Sequence, residues 1–249
     1  MYSLIPDWSD QANLLTDPLA NVARLFQQSE LPFRILLLKP RHDWRTYLNQ
    51  NGLLNMQTWN ALDAALGIHL TAGKGLAIAD LPLPSNAEFV YDVYQLRIYQ
   101  NNNLYSTVHF NDDGFVTDIY YERQENGLVR HDRYDERGFK ISESAEDEQG
   151  QMVRQKWFNE YGDCILVETP QKVTVQPLAQ KRFLRSDYAS LELLLREVVE
   201  RQLSIWKAGD KQFMLLSTMS ASLKVIMERL QTVAPTLYLV ATQLTENQA

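Results

Sequence analysis

Between residues 110 and 163 glycines fall at positions 114, 127, 138, 150 and 162, with gaps of 13, 11, 12 and 12 residues. Most of them follow an Asn, Asp or Glu by one to three places. A beat of this length matches one β-strand plus one tight turn, because glycine supplies the positive φ at which a chain reverses. The segments between the glycines alternate apolar and polar residues in period two, as in "LYSTVHF", "FVTDIYY", "FKISESA", "QMVRQKWF" and "CILVET". This pattern predicts an up-and-down antiparallel meander of six or seven strands from about Phe89 to Val175. Stretches such as "RHDRYDERG" are polar on both faces, so much of the sheet is expected to stand in solvent as a recognition platform.

The flanking sequence follows a different rule. "YSLIP" reads as a first strand, and Asp17-Pro18 opens a helix with an apolar face of Leu19, Val22, Ala23, Leu25 and Phe26. "FRILLLK" is an unbroken apolar strand, as expected where both faces are covered. "DWRTYLNQNGL" and "QTWNALDAALG" read as helices stopped at Gly52 and Gly67. "ADLPLP" looks like a crossover into the meander. After Pro177, "DYASLELLLREVVERQLSIWKA" reads as a long amphipathic helix capped by Ser186 or Asp187, followed by strand "KQFMLLST", helix "SASLKVIMERLQTV" and strand "TLYLVATQ". The fold class that follows is α/β, a partial Rossmann-like layer with an inserted extended antiparallel β-meander. Its parts are residues 1–84, first stretch of the layer; 85–178, the inserted sheet; and 179–249, second stretch of the layer.

Composition excludes several classes. A net charge of −7 argues against a nucleic-acid binder, which needs a basic face. The sequence contains no apolar run long enough for a transmembrane segment. "MYSLIPDWSD" lacks the basic start of a signal peptide, and a lone cysteine, Cys164, points to a reducing compartment. A cytoplasmic location is expected.

Chemistry-bearing motifs are scarce. "TAGKGLA" lacks both the leading glycine of a phosphate loop and a Ser or Thr after Lys74. His42, His69, His109 and His131 are scattered and never spaced as a metal pair. The acidic turns fail the calcium-loop pattern, and turn formation already accounts for their carboxylates. Neither a catalytic set, nor a cofactor site, nor a metal site is expected. The meander is rich in aromatics, which ordinary cross-strand pairing explains in part and a binding face in part. Tyr134, Trp157 and Tyr161 are the candidate partner-binding residues.

Three short motifs in order carry a resemblance: Ile5, Pro6 and Trp8; then Arg45, Tyr47, Leu48 and Leu53; then Asp135, Arg137, Gly138 and Phe139 in a turn of the meander. In this order they resemble the accessory Sec system protein family, the first, glycosyltransferase-like member of the accessory secretion complex of Gram-positive bacteria. Asp7 stands where that family usually has Ser. The resemblance implies a GT-B-like fold of which only the N-terminal half is represented here. It also implies a non-catalytic role in export of serine-rich repeat glycoprotein adhesins. The implied partners are the other accessory Sec proteins, the accessory Sec ATPase and the glycosylated substrate, with a location that is cytoplasmic or peripheral at the translocase. A glycosyltransferase, or a subunit that stabilises one, is the alternative.

Overall fold

The computed structural model describes residues 1–8, 17–122, 127–209, 214–217, 225 and 237–239. They form two compact units, residues 1–65 with 192–249, and residues 66–191.

The first unit is built on a parallel sheet of β1 (Tyr2–Ile5), β2 (Phe33–Leu37), β3 (Gln57–Asn60), β14 (Met214–Ser217) and β15 (Leu237–Leu239). Its order is β15-β14-β1-β2-β3, so the chain reverses direction across the sheet at β1. Every residue of β2 is buried, as an unbroken apolar run requires. Phe33, Ile35 and Leu37 pack with Leu19, Ala20 and Ala23 of α1 (Pro18–Gln28) and with Trp44 and Leu48 of α2 (Trp44–Gln50). Asp17 caps α1, its Oδ1 accepting from Ala20 N at 2.7 Å, and Pro18 fits the first turn where its missing N–H costs nothing. On the other face Arg34 lies 4.1 Å from the ring of Trp206, which also meets Trp59 edge-on.

Two details differ from the sequence reading. "QTWN" is strand β3 rather than the start of a helix, and α3 covers only Ala61–Leu66. The switch falls at Asn60, whose Oδ1 accepts from Leu62 N at 2.8 Å and Asp63 N at 3.2 Å and so starts the helix. Helix α4 (Leu191–Gly209) begins at Leu191, not at Ser186 or Asp187. Asp187 and Tyr188 instead form β13, and the Asp187 carboxylate is engaged by Lys172, Thr174 and Ser186. The helix read from "SASLKVIMERLQTV" lies mostly outside the described residues.

The second unit holds a sheet of ten strands among the described residues, β4 (Ala87–Asp92), β5 (Gln95–Gln100), β6 (Asn103–Phe110), β7 (Val116–Tyr121), β8 (Val129–Tyr134), β9 (Lys140–Glu146), β10 (Met152–Phe158), β11 (Cys164–Glu168), β12 (Val173–Val175) and β13. Each pairs antiparallel with its sequence neighbour, so the meander is longer than the six or seven strands expected. Four of its turns share one chemistry. Asn111, Asp135, Asp147 and Asn159 each accept at their carbonyl from a glycine N–H three residues on. Each also accepts, through its side-chain Oδ1, from the backbone N–H two residues on. The beat is therefore an Asx-x-x-Gly turn repeated at strand length, with the acids engaged by their own backbone.

Candidate interaction surface

A meander sends successive turns to opposite ends of its sheet, so the turns at 111–114, 135–138 and 159–162 share an end. The segment 69–76 runs across these three in order. His69 N donates to Glu160 Oε1 at 3.0 Å, Arg137 Nη1 donates to the Leu70 carbonyl at 3.0 Å, and Val116 N donates to the Leu76 carbonyl at 2.8 Å. The glycines of "TAGKGLA" are explained here rather than by a phosphate. A Cβ on Gly73 would sit 2.2 Å from the Arg137 carbonyl oxygen, and one on Gly138 would sit 2.1 Å from that of Lys74. Strap and turn lie backbone against backbone, which only glycine permits.

The same turn contains the Asp135–Arg137 pair. Both side chains are buried, at 1% and 2% exposure, and the guanidinium meets the carboxylate with two bonds of 2.6 and 2.7 Å. Buried charges survive only when paired and hydrogen-bonded, and the fork, the Arg137 N–H to Asp135 Oδ1 and the Leu70 carbonyl meet that condition. "RHDRYDERG" is therefore no solvated stretch: Asp132 is also buried, held by Arg130 with Lys140 nearby. Glu143 joins the network. Burial alone would raise its carboxyl, but hydrogen bonds from Lys156 and Lys140 hold it at about 2.

The three candidate aromatics do not gather on one surface. Tyr134 packs against the apolar cluster of Leu96, Ile98, Val108 and Ile119, and burial pushes its hydroxyl up to about 12. Trp157 is buried in a different row, between Ser142 and Leu166, with Nε1 donating to Glu168 Oε2 at 3.1 Å. Tyr161 is 78% exposed in the β10–β11 turn. His109 and His131 flank Tyr120 in central strands, with His131 stacked on its ring at 4.1 Å and bonded to Asp118 at 2.7 Å.

A run of exposed apolar side chains among the described residues lies elsewhere, on β4 and the hairpin to β5. Phe89 and Val90 are about half exposed, Tyr91 is 70% exposed, and Val93 and Tyr94 are more so. Beside the hairpin a cavity of about 490 Å³ is lined by Ile78, Tyr91, Tyr94, Phe110 and Asp112 among others. Alternation in "AEFVYD" signals a strand in the sequence, but nothing in those letters says that the strand is outermost.

In the first unit, the carboxyl ends of β1 and β2 hold Trp8, edge-on to Tyr47 at 5.8 Å, with Arg41 stacked 3.7 Å above Tyr47 and paired to Asp43. Lys39 pairs with Asp7 alongside. Burial pushes the Tyr47 hydroxyl up to about 12. Trp8 of the first short motif and Tyr47, Leu48 and Leu53 of the second pack in one cluster.

Solved structures define the class first. The chain superposes on the pneumococcal O-GlcNAc transferase GtfA, solved in complex with UDP and GlcNAc, with a TM-score of 0.70 at 11% identity over 97% of the chain, a likeness of fold alone. The chain covers 48% of that structure, and its solved neighbours are thus glycosyltransferase-like GT-B proteins of about twice its length. A higher TM-score of 0.84, at 25% identity over 96% of the chain, links it to a crystal structure of accessory secretory protein 1, 2 and 3 in Streptococcus pneumoniae. The sequence profile of the first accessory Sec system protein matches residues 1–242, and the chain belongs to that family. Relatives in Staphylococcus aureus (strain NCTC 8325 / PS 47) and Streptococcus gordonii, both described as that same accessory Sec system protein, are 24% identical over 196 and 216 residues, 78% and 85% of this chain. The chain spans 38% and 41% of those relatives and 52% of the solved pneumococcal chain. Among the described residues no helix is long and apolar enough to cross a membrane.

Proposed function

We propose that this chain is a non-catalytic component of the accessory Sec system that works by binding partner proteins during export of serine-rich repeat glycoprotein adhesins. The family match over residues 1–242 carries the reading. The solved relative of highest TM-score described above comes from a structure of accessory secretory proteins 1, 2 and 3, so the other accessory Sec proteins are the first partners to test. The accessory Sec ATPase and the glycosylated adhesin follow from the same reading, as does a location in the cytoplasm, peripheral at the translocase. The five-stranded order with reversal at β1 supports reading the first unit as a partial Rossmann-like layer whose sequence is interrupted by the meander. The shared fold with GtfA favours one alternative, a glycosyltransferase or a glycosyltransferase-stabilising subunit.

Co-purification with the other accessory Sec proteins, followed by size-exclusion chromatography with light scattering, tests the proposal. A stoichiometric complex is expected, together with no calorimetric signal from UDP-GlcNAc. A monomer that ignores those proteins and binds the sugar nucleotide overturns the reading and favours the alternative.

A further inference from the structure

The two edges of the ten-stranded sheet are finished differently. At one, β13 has only two residues before the chain turns away. At the other, β4 runs for six residues in unbroken register with β5, with neither proline, lysine nor bulge along it. Those three are among the devices that keep an edge from pairing, and this edge carries only the negative charges of Glu88 and Asp92. Its outward N–H and C=O groups are a template for another strand.

Register says what that strand must carry. Phe89 pairs with Ile98 and Tyr91 with Leu96, so both rings continue the apolar face of the sheet past its last strand. Glu88, Val90 and Asp92 pair with Tyr99, Arg97 and Gln95 and lie on the opposite face. Asp112 and Asp113 stand in the β6–β7 turn, Asp112 at the mouth of the cavity near Asp92. Glu88, Asp112 and Asp113 have no ion-pair partner among the described residues, and Arg97, 3.9 Å from Asp92, is the cation paired with this edge.

We infer that β4 is a docking edge for an extended segment of a partner protein reading basic–apolar–any–apolar–basic. Its two cations meet Glu88 and Asp92, and its two apolar residues lie against Phe89 and Tyr91. Opposite charges directly across a strand pair stabilise and like charges oppose, so an acidic segment is rejected. The inference rests on the partner-binding reading above and names the surface through which it works.

The test uses the full chain and two short synthetic peptides, one centred on Lys-Val-Thr-Val-Lys and one on Glu-Val-Thr-Val-Glu. Titration followed by amide chemical shifts should move residues 87–92 with the basic peptide only. The double variant Glu88→Lys, Asp92→Lys, at exposed positions and checked for an unchanged amide spectrum outside residues 87–97, should weaken that peptide by roughly tenfold or more and accept the acidic one. Shifts confined elsewhere, or an affinity indifferent to the charge exchange, overturn the inference. So does wild-type light scattering that grows with concentration and collapses in the double variant. That result would assign the edge to a second copy, whose Lys181-Arg182-Phe183-Leu184-Arg185 is a basic-flanked apolar stretch. If wild type and double variant bind the accessory Sec proteins equally, the inference fails while the proposed function stands. If the basic peptide binds but no accessory Sec protein does, the proposed function fails and the edge remains.

Discussion

Replacing Gly138 and Gly150 by alanine, one at a time, separates two demands that the meander places on its glycines. Both have positive φ, 94° and 74°, and both close an Asx turn of the same hydrogen-bond pattern. Holding an alanine there costs about 1–2 kcal/mol in either place. At Gly150 that is the whole effect, because a new Cβ has nothing within 4 Å. At Gly138 the Cβ would lie 2.1 Å from the Lys74 carbonyl oxygen, a backbone atom that cannot rotate aside. The strap must lift, and the Arg137 bond to the Leu70 carbonyl goes with it. A hydrogen bond from a charged donor contributes about 1.5–3 kcal/mol. Gly150→Ala should therefore cost about 1–2 kcal/mol and Gly138→Ala about 3–5 kcal/mol. Urea unfolding gives the totals, and native-state hydrogen exchange reads where they fall. Gly138→Ala should lose protection at residues 70–76, and Gly150→Ala should not. Costs within about 0.5 kcal/mol of each other, or an unchanged strap, would refute the backbone-on-backbone contact.

Asp135→Asn strips the buried Arg137 of its counter-charge and should destabilise by about 3–5 kcal/mol in urea; a loss below about 1 kcal/mol would mean the pair is hydrated. Trp157→Ala should cost about 3–5 kcal/mol, whereas Tyr161→Ala, at an exposed turn, should stay within about 0.5 kcal/mol. A partner-binding defect in Tyr161→Ala at unchanged stability would then report contact, and stability changes of similar size in the two variants would contradict the burial seen here. Glu143 ionises at about 2 rather than the ordinary 4.5, so its network contributes stability above pH 4.5 that is lost as pH falls through about 2. The Tm gap between wild type and Glu143→Gln should narrow across that window; a gap that holds or widens on acidification contradicts the assignment.

What the letters could express was local. Asp17-Pro18 announced a helix because cap and first-turn chemistry are written in adjacent residues. The Asx-x-x-Gly beat announced hairpins because each turn satisfies itself within five residues. "QTWNALDAALG" misled because Ala and Leu at helical spacing outweigh four strand residues whose conformation is set by pairing with β2. The polar run around Asp132 and Asp135 looked solvated although Arg130 and Arg137 stand only two residues from their partners, because burial of the pairs and the approach of Lys140 from β9 are set by the folded sheet and not by local spacing. The strap over the turns was invisible for the same reason, since Leu70 and Arg137 are 67 residues apart. Of the three candidate aromatics, the pattern could supply rings but not their faces. The open edge went unseen because being outermost is a property of the sheet and not of "AEFVYD".

The parallel sheet sets an order of events during synthesis. Its central strand β1 pairs on one side with β2, about thirty residues later, and on the other with β14, where Ser217 Oγ donates to the Ile5 carbonyl across 212 residues. At translation rates of about 5–20 residues per second, that second flank of β1 waits roughly 10–40 seconds for its neighbour. The hairpins of residues 87–188 close on partners a dozen residues away and emerge wholly within the interval. The nascent chain therefore finishes the ten-stranded sheet while the five-stranded one is still half zipped.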